Sequence, residues 1–146
     1  MIPSGQQRVL HGIALAALLS FPLVSLAEVV VVTGAGNALT TLNRNQVRDL
    51  FLGKVVSLPD GNSSTPIDQP DSNPLREEFY MKVANMTAAQ ARAHWAKLYF
   101  TGRGVPPQQC RNAADVKKML KSMPGAIGYL DRASLDGSVK VLFVAP

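Results

Sequence analysis

Pro66-Ile67-Asp68-Gln69-Pro70-Asp71-Ser72-Asn73-Pro74-Leu75-Arg76 packs a strand end, a loop and a helix start into one short span. Pro66-Ile67-Asp68 follows the turn-forming Pro59-Asp60-Gly61-Asn62 and reads as a short strand. Asp71-Ser72-Asn73 then offers capping side chains. Pro74 follows at the first helical position, where its preset φ suits the helix and its missing N–H is an orphan anyway. The spacing of Leu75, Phe79, Tyr80 and Val83 predicts a helix to residue 84 with those four side chains buried.

Upstream, Val29-Val30-Val31-Val32 is a β-branched run without alternation, as expected of a strand covered on both faces, and Thr33-Gly34-Ala35-Gly36-Asn37 ends it. Asn43 is placed to cap a helix over residues 44–52, with Val47, Leu50 and Phe51 inward and Gly53 as its stop. The stretch from Lys54 to Asp68 is expected to be extended, with Val55-Val56-Ser57-Leu58 ahead of the turn. Downstream, Thr87 caps a helix over residues 88–99 whose predicted core stripe is Ala91, Trp95, Leu98 and Tyr99. Two glycines and two prolines make residues 100–107 a loop. Asn112 caps a further helix, with Asp115 in a loose capping box and Val116, Met119 and Leu120 inward. Residues 126–130 and 139–144 read as closing strands. Strands at both ends of a helical middle predict an α/β class built in layers.

The chain has 146 residues, a net charge of +5 and a single cysteine, Cys110. Arg8 and His11 precede an apolar run from Ile13 to Leu26, which closes on Ser25-Leu26-Ala27. This is the pattern of a signal peptide cleaved ahead of Glu28, and the run is too short and interrupted for a membrane span of about 20 apolar residues. The expectation is a leader over 1–27, one domain over 28–146 and a periplasmic location. The residue expected directly after the cut is Glu28, not a cysteine that could carry a lipid anchor, and one cysteine cannot form an intramolecular disulfide, so packing must hold the domain. Cys110 reads as a partly buried small residue, with an intermolecular disulfide or a reactive thiol as alternatives. The overall charge includes Arg8, so residues 28–146 carry +4, with cations interleaved among carboxylates. That excess favours anionic ligands. Nucleic acid is not indicated, because no basic stripe with stacking aromatics is present.

Three segments resemble the phosphate-binding protein of ABC-type phosphate transporters, and more closely its short single-lobe relatives. They are Leu-Asn-Arg-Asn-Gln-Val-Arg-Asp-Leu-Phe-Leu-Gly-Lys at 42–54, the strand, loop and helix start at 67–79, and Thr101-Gly102-Arg103-Gly104 with Pro124-Gly125-Ala126-Ile127-Gly128-Tyr129. The resemblance implies a single lobe of a type II periplasmic binding protein, a mixed and mostly parallel sheet flanked by helices, and an oxyanion at a helix N-terminus. First-turn N–H groups without intrahelical partners, together with the helix dipole, make the start of the 74–84 helix a candidate cradle, with Arg76 one turn in. The tentative ligand set is Gln69, Ser72, Asn73, Arg76 and Arg103 for phosphate or another small oxyanion.

The departures from the family's Arg-Ser-Asp-Gly-Ser-Gly-Thr loop are specific. Gln69 stands for the Arg, Asn73 for the second Ser, Pro74 for the second Gly and Leu75 for the Thr. Most side-chain ligands are therefore lost, and Pro74 removes one N–H. A single lobe also leaves the site open. Two readings follow: a weak oxyanion receptor related to phosphate transport, or a ligand-free interaction or sensory module partnering an envelope transporter or receptor. Catalysis is disfavoured. His94 is expected as an exposed or half-buried helical residue, no metal or cofactor set is evident, and Gly34-Ala35-Gly36 lacks the rest of a dinucleotide loop.

Overall fold

A computed structural model describes residues 28–146; the expected leader lies outside the described residues. The elements run β1 (Val29–Gly34), α1 (Arg44–Phe51), β2 (Thr65–Asp68), α2 (Pro74–Ala84), α3 (Ala88–Phe100), β3 (Gln108–Gln109), α4 (Ala113–Ser122), β4 (Ala126–Asp131) and β5 (Val139–Ala145). Local chemistry sets the helix starts. Asn43 and Thr87 each form a reciprocal capping box, with Gln46 and Gln90 respectively. Asn73 and Asn112 accept from the backbone N–H groups of Leu75 and Asp115. Gly53 ends α1 at φ 71°, a conformation that side-chain-bearing residues disfavour, and a Cβ there would lie 2.6 Å from the Trp95 ring.

The five strands form one sheet in the order β3-β2-β4-β1-β5. β2 pairs in parallel with both β3 and β4, whereas β1 pairs antiparallel with both β4 and β5. The sheet is mixed, as expected, but its pairings divide evenly instead of being mostly parallel, because β1 runs against both neighbours. Val55–Leu58 forms no strand; Ser57 and Ser63 make a single antiparallel bridge across the turn.

Successive β1 valines point into different layers, which explains the unbroken run. Val29 and Val31 join Leu50, Phe51, Phe79, Tyr80, Ile127 and Tyr129 on the face covered by α1 and α2. Val30 and Val32 join Ile67, Val116, Leu120 and Leu130 under α4. All four valines are fully buried, giving a helix–sheet–helix sandwich. α3 docks on the end of α1 through Trp95, whose Nε1 donates to the Phe51 carbonyl at 3.0 Å, and His94, whose Nε2 lies 2.8 Å from the Leu52 carbonyl. The predicted α3 stripe holds at Ala91 and Trp95, is half-buried at Leu98 and fails at Tyr99, which is 57% exposed.

Gly125 sits where β4 approaches the chain entering β2, and a Cβ there would press into the Ser63 backbone carbonyl. Gly125→Ala is expected to lower stability by about 1–3 kcal/mol, the range for overpacking against backbone that cannot retreat. Thermal or urea unfolding measures it. Gly36→Ala, where a Cβ meets nothing within 4 Å, is the control and should change little.

Candidate functional site

β2 ends on the inward-facing Asp68, and the loop that follows carries the chain to the start of α2. Asp68 is 2% exposed, so its charge must be compensated locally. Its Oδ1 accepts from the Gln69 N–H (2.8 Å), the Tyr129 hydroxyl (2.5 Å) and Arg76 Nε (3.3 Å); its Oδ2 accepts from the Tyr80 hydroxyl (2.7 Å). Burial, followed by the Asp68 charge, pushes both phenols far above the ordinary tyrosine value, so they remain donors.

Arg76 projects inward from the first turn of α2 and is 3% exposed. Its guanidinium bonds Asp68, Asp71 and the Ala88 carbonyl, and lies 5.1 Å from the centre of the Tyr80 ring. Burial disfavours its charge, but Asp68 above all, with Asp71 and the tyrosines, outweighs that and holds it firmly protonated. Asp71 bridges two guanidinium groups: one oxygen meets Arg76, and the other meets Arg92 on α3.

Of the residues singled out from sequence, Gln69, Asn73 and Arg76 come together. Gln69 is buried, donates from Nε2 to the Tyr129 carbonyl at 2.7 Å and accepts from Asn73 Nδ2. Asn73 Oδ1 accepts from the Leu75 N–H, and the Asn73 carbonyl accepts from the Arg76 N–H. With Pro74 lacking an N–H, the first donors of α2 are satisfied from within the loop. Ser72 and Arg103 are exposed and make no hydrogen bond to this cluster; Arg103 lies in the turn after α3, its backbone N–H on the Leu98 carbonyl.

Sequence reasoning missed Asp68, Tyr80, Tyr129, Asp71 and Arg92 as parts of the network. A carboxylate at the end of an apolar strand was a usable signal for Asp68, and Tyr80, one turn beyond Arg76, shared its helix face. Nothing local connected Arg92 to Asp71. Cys110 is buried, its Sγ 3.0 Å from Met119 Sδ, and burial raises its thiol above the ordinary value, so little thiolate is present near neutrality. Among the described residues no cluster of three or more His, Cys, Asp or Glu is placed to hold a metal. No described helix is long and apolar enough to cross a membrane. An open cleft of about 680 Å³ lies at the opposite end of the sheet, between Gly34, Leu120, Lys121 and Ser138. It is remote from the buried charges, so size alone does not mark the site.

No protein-family model and no curated protein sequence matches the chain. Solved structures do. A putative phosphate ABC transporter substrate-binding protein with bound phosphate from Clostridium perfringens superposes with a TM-score of 0.64 at 18% identity, over 80% of this chain and 44% of that one. An ABC-type phosphate transport receptor from Vibrio cholerae gives 0.63 at 15% identity, over 80% and 45%. PstS from Borrelia burgdorferi gives 0.60 at 12% identity, over 80% and 46%. The chain spans less than half the length of each. Its fold is that of a single lobe of a periplasmic binding protein of the phosphate-receptor type.

Proposed function

We propose that this chain is an exported, non-enzymatic, solute-receptor-like lobe related to the phosphate receptors of ABC transporters, which takes phosphate or another small oxyanion weakly at the start of α2. The observation carrying this reading is the Asp71 carboxylate bridging Arg76 and Arg92. Two guanidinium groups converging on one acidic group provide the donors an oxyanion needs, and Asp71 supplies an internal anion in its place. The likeness to receptors for phosphate supports the ligand class, and the N-terminal sequence supports export with cleavage ahead of Glu28. Weak affinity follows from competition with Asp71 for the two guanidinium groups.

Calorimetric titration with phosphate at low ionic strength, with sulfate as control, tests the reading on wild type and Asp71→Asn. Removing the internal carboxylate is expected to tighten phosphate binding by about tenfold or more, equivalent to roughly 1.4 kcal/mol. No heat from either protein up to millimolar phosphate would sink it.

One observation favours a second reading, a ligand-free interaction or sensory module: Asn73 already occupies the Leu75 and Arg76 N–H groups. That reading expects capture of a defined envelope partner, unaffected by phosphate.

A further inference from the structure

Lys121 and Asp60 carry opposite charges and line the same open cleft of about 680 Å³, yet neither forms an ion pair, with the other or with any group among the described residues. The cleft lies at the Gly34 end of β1, and its volume is within the roughly 300–1,000 Å³ of small-molecule sites. The loop that walls it, after β1, is held by its own side chains. Asn37 Nδ2 donates to Thr33 Oγ1 at 3.0 Å and to the Pro124 carbonyl at 3.2 Å, while its Oδ1 accepts from the Leu39 N–H at 2.9 Å. Lys140 Nζ donates to the Asn37 and Leu39 carbonyls, and the Ala35 N–H donates to the Ser138 carbonyl. These bonds leave the Gly36 and Ala38 N–H groups and the Asn62 side-chain amide without a hydrogen bond among the described residues. Asp60 Oδ1 accepts from the Asn62 N–H at 3.0 Å, and its Oδ2 is likewise left open. Between these polar groups the lining is apolar, from Ala35, Leu120 and Pro124.

We propose that this cleft binds a small zwitterion, an α-amino acid with an apolar side chain. Lys121 and the Gly36 and Ala38 N–H groups take its carboxylate, Asp60 takes its ammonium, and its side chain lies against Leu120 and Pro124. A simple anion in the cleft would meet the Asp60 carboxylate, and a simple cation would meet Lys121; a molecule that carries both charges compensates both at once. Charge-assisted bonds at its two ends would fix its orientation. Because Asn37 and Lys140 already hold the loop, little ordering remains to oppose binding. None of the residues lining the cleft belongs to the network of Asp68, Asp71 and Arg76, so this site stands or falls independently of oxyanion binding at the start of α2.

The test is amide NMR of isotope-labelled wild type titrated with L-leucine. The Gly36, Ala38, Asn62 and Lys121 amides should shift together and saturate, while those of Asn73 and Arg76 stay in place. Two further probes divide the zwitterion: N-acetyl-L-leucine lacks the ammonium, and L-leucinamide lacks the carboxylate. Each should bind about tenfold or more weakly than L-leucine, as expected when one charge-assisted contact is lost. Lys121→Met should remove the advantage of L-leucine over L-leucinamide. Asp60→Asn, which keeps an oxygen for the Asn62 N–H, should remove its advantage over N-acetyl-L-leucine. Both positions are exposed, so the urea midpoint should stay unchanged and separate lost binding from misfolding. Absence of a saturable shift up to about 10 mM L-leucine would overturn the proposal. So would either half-molecule, or either variant, binding as tightly as L-leucine binds wild type. Inorganic phosphate moving the same four amides as strongly as L-leucine would assign the cleft to a simple anion and overturn it as well.

Discussion

Asp68→Ala is expected to destabilise the fold by about 3–5 kcal/mol, the loss seen when one member of a buried ion pair is removed. The substitution leaves Arg76, 3% exposed, with only the peripheral Asp71 as its acidic partner, and strips the Tyr80 and Tyr129 hydroxyls of their common acceptor. Domains of this size have net stabilities of about 5–15 kcal/mol, so a large share would be gone. Urea unfolding followed by Trp95 fluorescence measures it. Adding Arg76→Met to Asp68→Ala should recover part of the loss, because the uncompensated buried charge is then removed too. A loss under about 1 kcal/mol for the single variant would mean that Asp71, not Asp68, neutralises Arg76.

Phe79→Ala should cost a comparable amount, about 3–5 kcal/mol. Phe79 is fully buried, stacks on Tyr129 with centroids 4.0 Å apart and planes 4° apart, and meets Phe51 edge-on at 4.7 Å. Truncation opens a cavity between α1, α2 and β4 and removes aromatic contacts worth about 0.5–1.5 kcal/mol each beyond their area. It also frees the Tyr129 ring whose hydroxyl holds Asp68, so Phe79→Ala and Asp68→Ala should combine non-additively. Additive losses in a double-mutant unfolding cycle would separate the aromatic stack from the polar network.

Arg76 shows how far sequence reasoning reached at the candidate site. Its place in the first turn of α2 was legible from Asn73 and Pro74, and so was the proximity of Gln69 and Asn73, because these relations span only a few residues. Its direction was not. Whether a first-turn arginine faces a ligand or turns inward depends on what lies beneath the helix, and here that is a carboxylate on β2 held from below by Tyr129, sixty-one residues away in the chain. Tyr99 failed for the same reason: helical spacing placed it on the Trp95 face, but only the extent of the neighbouring elements decides where that face meets water.

What the amino-acid sequence determined by itself is local: the buried valine run, the caps at Asn43, Asn73, Thr87 and Asn112, the stop at Gly53, and the α/β alternation that these produce. Each rests on contacts within a turn or two, or on the simple need to cover an apolar strand. The tertiary structure alone decided the strand order β3-β2-β4-β1-β5, the even division of parallel and antiparallel pairs, the two-residue β3, and the bridging of Arg76 and Arg92 by Asp71. These depend on which distant segments meet, and a charge or ring selects its partner only after the sheet has brought that partner within reach.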